Sequence, residues 1–498
     1  MRAERQVRVS ANVIPMKSTC EPVDILGIGF GPANIALAIA LEENGSEKSI
    51  RFIERRLGPT WHPDMLLDGA DIQNNPLRDF VTPRNPMSRY TFINYLHKEG
   101  RLFEYLNLGL HFPLRKDYAR YIEWAARQFD DLVEYGEEVV SIDVRTAPKT
   151  PDGFLYEVAA KSGKSYLARS LVVGTGRTPN VPRVFRGLLG DRVFHFTEYL
   201  ARIRSGGQTG NGALRRACVV GGSQSAVEIT LDLMRRHPDC QVVNVQRNYG
   251  YRLKDTSPFS EHVYFPDFVD YFYSASAQSK NTLWEELKFT NYSAADADVI
   301  HELYLRLYEQ KLDGRSNVRL MPNRLIEQAS RDQDGIWLDL REIHTGAVET
   351  MPFDMVILAT GFRNLGTGEG SECYPSLLES LAKRLRVTRE SVLHVGRDYD
   401  LSGRGEAEDV PPIYLNGLCE SSHGFGDAGS FSLLSVRSAT IARSLIRRLD
   451  ERATAYARDA FVQCNGGSGS IGEEGHVYPL LEDQTAHGND RGAARQFD

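Results

Sequence analysis

An α/β architecture with two Rossmann-like dinucleotide-binding domains and a helical substrate-binding insert is predicted by three features of the 498-residue sequence. VDILGIGFGPANIALAIALEE, from Val23, reads as strand, glycine-rich turn and helix, and ACVVGGSQSAVEITLDLM, from Ala217, repeats that order. Residues 258–315 are rich in aromatics and helix formers without strand alternation, which predicts the insert. The composition, 41% hydrophobic and 25% charged, suits a folded chain of two or three domains.

Taken in order, residues 1–20 read as a disordered tail that lacks the apolar stretch of a secretory signal. After the first turn and helix, the strand SIRFIERR reaches Glu54, and strand patterns recur at EVVSIDV (138–144) and RSLVVGTG (169–176). SGGQTGNG (205–212) predicts a flexible joint before the second turn, whose helix leads to the strand CQVVNVQR. DMVILATGF (354–362) is the last apolar strand, and from Cys464 the Gly, Ser, Glu and Asp content predicts a disordered tail over 465–498. The expected division is a discontinuous first domain, 21–205 with 352–464, carrying a second, 212–351, which contains the insert.

Composition also excludes. A formal charge of −7 argues against a nucleic-acid or anionic-membrane surface, and no apolar run approaches the ~18 residues that span a bilayer. The cysteines (Cys20, Cys218, Cys240, Cys373, Cys419, Cys464) form no CxxC pair, which opposes a dithiol redox motif and suits reduced thiols in a cytoplasm. The histidines form no HxxxH or HExxH, so a helical metal site is not expected.

In the first turn, Gly27, Gly29 and Pro32 occupy the three G-x-G-x-x-G slots. Gly27 allows the tight turn, Gly29 lets backbone approach a pyrophosphate, and proline suits a first helical turn. Glu54, 22 residues after Pro32, stands where an acid accepts hydrogen bonds from a ribose. In the second turn Gly221 and Ala226 hold the outer slots and Ser223 the middle one, with Gly222 beside it and Gln224 and Ser225 completing the turn. The strand that follows ends in Arg247, whose guanidinium matches a 2′-phosphate and favours NADPH; a solvated surface arginine is the alternative.

These turns are joined by WHPDMLLDGADIQ (61–73), RDFVTPRNPMSRYTFINYLHKEGRL (78–102), DTSPFSEHVYFPDFVDYFYS (255–274), TNYS (290–293), LATGF (358–362) and HGFGD (423–427). In that order, over roughly residues 22–450, the sequence resembles the flavin-dependent N-hydroxylating monooxygenases, the L-ornithine N5- and L-lysine N6-monooxygenases of siderophore biosynthesis. The resemblance implies FAD in the first domain, NADPH in the second, O2 and an amine substrate between them, and a cytoplasmic homotetramer. By position it implies flavin contacts from Trp61, His62 and Gln73, with His423 near the flavin. Asn291 would touch both the nicotinamide nucleotide and the amine, and Ser432 the substrate; the HGFGDAGSFSLLSVR stretch around Ser432 runs one residue longer than the family's HGLSDTLLSVLAVR.

Two positions depart from the family. Arg78 replaces the lysine that contacts the substrate carboxylate, and Glu261 replaces an asparagine. Asn74, Asn75 and Pro76 also replace the usual SFL. Arginine still grips a carboxylate, whereas glutamate repels one and favours an ammonium or guanidinium. Either the pocket is rewired or Arg78 and Glu261 pair with each other.

N-hydroxylation needs a neutral amine lone pair, yet a free alkylamine with pKa near ~10.4 is mostly ammonium at neutral pH. Burial must lower that pKa, and a neutral acceptor such as the Asn291 carbonyl must orient the nitrogen. The expected function is N-hydroxylation of the side-chain amine of a diamino acid, L-ornithine first, through a C4a-hydroperoxyflavin. Lysine, arginine, a shorter diamino acid or a diamine remain open substrates. A non-enzymatic flavin-binding scaffold or regulatory subunit is the alternative of another class, and the missing CxxC opposes a flavin disulfide reductase. The aromatic cluster Tyr264, Phe265, Phe268, Tyr271, Phe272 and Tyr273 is expected as helical core.

Overall fold

The computed structural model describes residues 21–151, 153–205, 214–401, 410–427 and 429–465. The expected joint (205–212) beyond Ser205 and the two expected tails lie outside these residues, except Asn465, which ends the last helix and not a tail.

β1 (Ile25–Ile28) is four consecutive buried residues, as a parallel strand covered on both faces requires. The first turn carries the chain into α1 (Pro32–Glu43), buried along most of its length, and then β2 (Ile50–Glu54). α2 (Phe92–Lys98), α3 (Leu102–Leu108) and α4 (Arg115–Arg127) precede β3 (Val133–Tyr135). An antiparallel meander follows, β4 (Val139–Thr146), β5 (Phe154–Ala160) and β6 (Ser165–Ala168), and then β7 (Leu171–Val173).

β8 (Val193–His195) and α5 (Tyr199–Arg204) lead to β9 (Arg216–Val220), α6 (Gln224–Arg236) and β10 (Gln241–Val245). The insert holds α7 (Pro266–Ser274), α8 (Ala277–Leu287) and α9 (Ala297–Leu312). After it come β11 (Val318–Met321), a second meander of β12 (Arg324–Arg331), β13 (Ile336–Glu342) and β14 (Val348–Phe353), and β15 (Met355–Leu358). The chain closes with β16 (Asn364–Leu365), β17 (Ser371–Glu372), β18 (Ile413–Leu415), α10 (Glu420–His423) and α11 (Leu434–Asn465).

Two five-stranded parallel sheets result, ordered β18-β7-β1-β2-β3 and β11-β10-β9-β15-β8. Each sets its glycine-turn strand at the centre, and each carries a meander after the third strand counted from that one, β3 in the first sheet and β11 in the second. The internal duplication therefore extends well beyond the two turns. In such open sheets ligands sit at the carboxyl ends of the strands, where the order reverses, beside β1 and β9.

The expected domain limits of 205 and 352 do not coincide with sheet membership. β8 lies before 205 and β15 after 352, yet both are hydrogen-bonded into the second sheet. The apolar run at 354–362 announces β15 as a buried strand but not the sheet it joins.

Ile25, Leu26, Leu171, Val172 and Ile413 pack one core with Leu445 of α11, while Ala217, Val219, Ile229, Val242 and Ile357 pack the other. Of the aromatic cluster in the insert, Tyr264 and Phe272 are buried but Phe265 and Tyr271 are exposed, so it is core on one side only. Among the described residues no helix is long and apolar enough to cross a membrane, and no group of three His, Cys, Asp or Glu is placed to hold a metal.

Candidate active site

Gly29 turns with φ of 82°, and a Cβ there would lie 2.6 Å from the Gly174 carbonyl oxygen. At Gly27 a Cβ would enter the Phe52 ring. Gly31 begins α1 with no side chain to cap it, which leaves the helix N-terminus for a phosphate. Glu54 accepts the Phe30 N–H (2.8 Å) and the Arg56 N–H (2.9 Å), so the expected ribose acceptor also anchors the turn. Beneath it, Asn34 Nδ2 donates to the Gly29 carbonyl (2.7 Å), and Asn416 Nδ2 donates to Asn34 Oδ1 (3.1 Å). Arg437 in turn donates through Nε to Asn416 Oδ1 (3.1 Å) and through Nη1 to Asp427 Oδ1 (2.9 Å).

The second cradle is built alike. At Gly221 (φ 146°) a Cβ would lie 2.3 Å from the Ala359 carbonyl oxygen, and at Gly222 it would lie 2.5 Å from Gln246 Oε1. Ser223 precedes α6 in extended conformation and does not cap it. Gln224, expected at the nucleotide, turns inward instead. Its N–H donates to the Ala294 carbonyl (3.1 Å), its Oε1 accepts the Asp296 N–H (2.9 Å), and its Nε2 donates to Glu228 (3.0 Å). Ser225 stays in the first turn of α6. Arg247 is exposed past the end of β10, without an ion pair among the described residues. Both cradles fit a dinucleotide, since each sets a helix start without a side-chain cap beside a turn whose backbone requires glycine, at Gly29 and at Gly221.

Three non-glycine residues on two of the segments singled out in the sequence are in left-handed conformation: His62 (φ 42°) and Gln73 (φ 53°) in 61–73, and Ser293 (φ 56°) in TNYS. Such strain persists where surrounding structure imposes it, and it clusters at sites. Trp61 lies edge-on to His62 at 5.0 Å and to Phe431 at 5.9 Å. Enclosing protein, with the cations of Arg115 and Arg56, lowers the His62 pKa to about 4. The ring is therefore neutral at pH 7 although the residue is exposed. Gln73 donates its Nε2–H to Asp296.

Beyond these segments, Arg78, Glu261 and Ser432 converge. Arg78 Nη2 lies 3.7 Å from Glu261 Oε2, and Nη1 lies 3.5 Å from Ser432 Oγ. Its guanidinium also stands 5.6 Å from the centre of the Tyr264 ring. The expected pairing is real but loose: charge-assisted hydrogen bonds close to about 2.7–2.9 Å, and both side chains keep over a quarter of their exposure (28% and 29%). The extra residue in HGFGDAGSFS does not displace Ser432 from this group. Asn74 supports it through Nδ2, which donates to the Arg78 carbonyl (2.7 Å). Tyr264 donates its hydroxyl to the carbonyl of Thr290 (3.1 Å), the residue before Asn291, which ties this group to TNYS.

His423 is turned into the protein. It is fully buried, with Nδ1 against Ser422 Oγ (2.8 Å), Nε2 against the Arg397 carbonyl (3.1 Å), and its ring stacked on Tyr399 at 4.2 Å. Two engaged nitrogens leave nothing for a flavin, so its role is to pack the loop.

A neighbouring network escaped sequence reasoning. Glu420, fully buried, accepts the Tyr292 hydroxyl at 2.6 Å. Arg177 donates to Tyr292 (3.1 Å) and Asn364 (2.7 Å) and lies 3.8 Å from Glu420. Burial raises the Glu420 pKa from 4.5 to about 7, against the opposing pull of Arg177. The folded protein thus holds this proton more tightly than the unfolded chain. The contribution to stability is complete below pH 4.5 and is lost as pH rises through about 7. Glu420→Gln, which carries no proton to lose, is expected to flatten the fall in thermal midpoint over that interval, read as wild type minus variant at each pH.

Two dinucleotide cradles in one chain, each at the carboxyl end of a central parallel strand, define a two-nucleotide oxidoreductase. Comparison with known proteins is specific: the family described as L-lysine 6-monooxygenase/L-ornithine 5-monooxygenase matches residues 21–364, and the chain belongs to it. It is 38% identical to an L-ornithine N(5)-monooxygenase of Burkholderia cepacia over 84% of this chain and 94% of the relative. Among solved structures, ornithine hydroxylase from Pseudomonas aeruginosa superposes with a TM-score of 0.77 at 34% identity, over 86% of this chain and 100% of that one. An ornithine N-hydroxylase from Kutzneria sp. 744, solved with reduced FAD, NADP+ and L-ornithine, gives 0.78 at 32% identity, again over 86% and 100%.

Proposed function

We propose that this chain is an FAD- and NADPH-dependent monooxygenase that hydroxylates the side-chain amine of L-ornithine. The observation that carries the reading is the convergence of Arg78, Glu261 and Ser432 in a chain that also holds two nucleotide cradles. It is supported by family membership and by the relatives' common name.

Gly27, Gly29, Pro32 and Glu54 would hold FAD, with Trp61, His62 and Gln73 against its ring system. Gly221, Gly222, Ser223, Ser225 and Arg247 would hold NADPH. The bound flavin, reduced by NADPH, supplies the activation of dioxygen. The chain's own residues bind, orient and exclude water. Arg78 and Ser432 take the substrate carboxylate, and Glu261 takes the α-ammonium. That assignment leaves no anion beside the reacting nitrogen, where a carboxylate would hold the amine protonated and block attack. Asn291, on the segment that Tyr264 ties to Arg78, accepts from the amine through a neutral carbonyl and fixes its lone pair.

An amine panel tests this: ornithine, lysine, arginine, 2,4-diaminobutyrate, putrescine and cadaverine, following NADPH oxidation, peroxide and hydroxylated product together. Coupled product with ornithine is the expected result. Peroxide alone from ornithine, with product from another amine, would reassign the substrate, and no NADPH oxidation with any amine would favour the scaffold alternative.

Arg247→Ala is expected to raise KM for NADPH roughly tenfold and leave NADH kinetics unchanged, since an exposed guanidinium–phosphate contact lies at the low end of charged hydrogen bonds. The reading extends to a cytoplasmic homotetramer, for which light scattering should return about four times the 55.9 kDa chain mass.

A further inference from the structure

Asp296 stands at the N-cap position of α9 in the extended conformation typical of a capping residue (φ −69°, ψ 153°), yet its side chain does not cap the helix. The Val299 N–H goes to Asp298 instead (2.9 Å). The Asp296 carboxylate accepts from Gln73, 223 residues away in the chain, while its own N–H donates to Gln224. Lys254 Nζ, at 4.0 Å from Oδ1, is its ion-pair partner.

Gln224 is the first residue of α6, directly after the Ser223 that stands at the second nucleotide turn. Its amide is used on both sides, by Asp296 and by Glu228, so it cannot rotate without breaking one of them. Glu228, nearly inaccessible, meets Arg115 in a two-pronged ion pair (2.8 and 2.9 Å). Arg115 then grips the carbonyls of Met65 (3.0 Å) and Asp71 (3.1 Å). Met65, Asp71 and Gln73 lie on one loop, which starts at His62, whose carbonyl accepts the Met65 N–H (2.9 Å).

The hydrogen bonds thus form a closed circuit. From the start of α6 one arm runs through Glu228 and Arg115 to residues 65 and 71, and the other through Asp296 to residue 73. We propose that Asp296 and Glu228 are positioning residues that make a nucleotide seated on α6 fix the 62–73 loop, and so hold Gln73 and His62 against the flavin. This rests on the proposed FAD and NADPH sites, and it assigns those two acids no contact with substrate. The strained backbone of His62 and Gln73 fits such a role, because a loop with two left-handed non-glycine residues needs outside support to stay in place.

Titration of the FAD-loaded enzyme with NADP+, followed by the flavin difference spectrum, tests the proposal without turnover. Wild type should show a saturable change. Asp296→Ala should lose most of its amplitude, and Asp296→Ser, which restores a helix cap but cannot reach Gln73, should lose as much. Asp296→Asn keeps an acceptor oxygen and should recover part of it. During turnover the Ala and Ser variants should release several-fold more peroxide per NADPH while KM for ornithine stays within about twofold, because the Arg78 end is untouched. Rescue by Ser equal to that by Asn would mean that Asp296 serves only helix α9, and would overturn the proposal. A wild type that hydroxylates ornithine yet shows no NADP+ signal would overturn it too, and leave the proposed activity standing.

Discussion

Arg78→Met is expected to lower kcat/KM for ornithine by roughly 100-fold, mostly through KM, with FAD content and the NADPH-driven reduction of the flavin unchanged. A hydrogen bond between charged groups contributes about 1.5–3 kcal/mol, which alone gives roughly 10- to 100-fold. The arrangement here pushes the effect to the upper end. Arg78 faces Glu261 at 3.7 Å, so its loss removes the cation and also leaves a bare carboxylate where the substrate carboxylate must sit. Arg78→Lys keeps the charge but gives up the fork that spans Ser432 and the substrate, and should cost roughly tenfold.

The reciprocal variant separates the two poles. Glu261→Gln should weaken ornithine while leaving 5-aminopentanoate, which lacks the α-amine, unaffected. Equal losses for both compounds would show that Glu261 does not read the α-ammonium. An Arg78→Met enzyme with unchanged KM would remove the substrate carboxylate from this pocket altogether.

What was legible in the sequence follows physical range. Strands buried on both faces declare themselves as short apolar runs, and β1, β2, β7, β10 and β15 all lie within the stretches read that way. β8 is only three residues long and carries no such run, and β13 buries alternate residues, Ile336, Leu338 and Leu340, in a pattern shorter than its polar surroundings make visible. The glycine turns were legible because the constraint is local: a backbone that must pass within 2.6 Å of Gly174 admits nothing larger at Gly29.

The supporting networks were not legible for the opposite reason. Arg115 meets Glu228, Arg177 meets Glu420, and Asn34 meets Asn416, each across more than a hundred residues of chain. No spacing rule links such partners, and each residue alone reads as an ordinary polar side chain. His423 shows the converse hazard. Its motif placed it near the flavin, but placement on a loop does not say which way a ring faces, and here packing against Tyr399 decided.

The larger stability effect should come from one of these distant pairs. Arg437 and Asp427 are almost wholly inaccessible (2% and 0% for their side chains) and meet at 2.9 Å, with the Tyr399 hydroxyl also donating to Asp427 at 2.9 Å. Arg437→Met leaves a buried carboxylate without its cation, which costs about 3–5 kcal/mol. The thermal midpoint should fall sharply. Loss of Arg437 also removes the donor to Asn416 Oδ1 and so loosens the Asn416 amide, and through it Asn34 and the Gly29 turn, so the purified variant should carry markedly less FAD, read from its flavin absorbance. The double variant Arg437→Met with Asp427→Leu tells the two effects apart. Removing both charges relieves the unpaired carboxylate and should recover much of the midpoint. It does nothing for Asn416, so FAD content should stay low. Recovery of both together would mean that the turn is held by overall stability alone, and that the chain of hydrogen bonds from Arg437 to Gly29 has no separate role in holding the flavin.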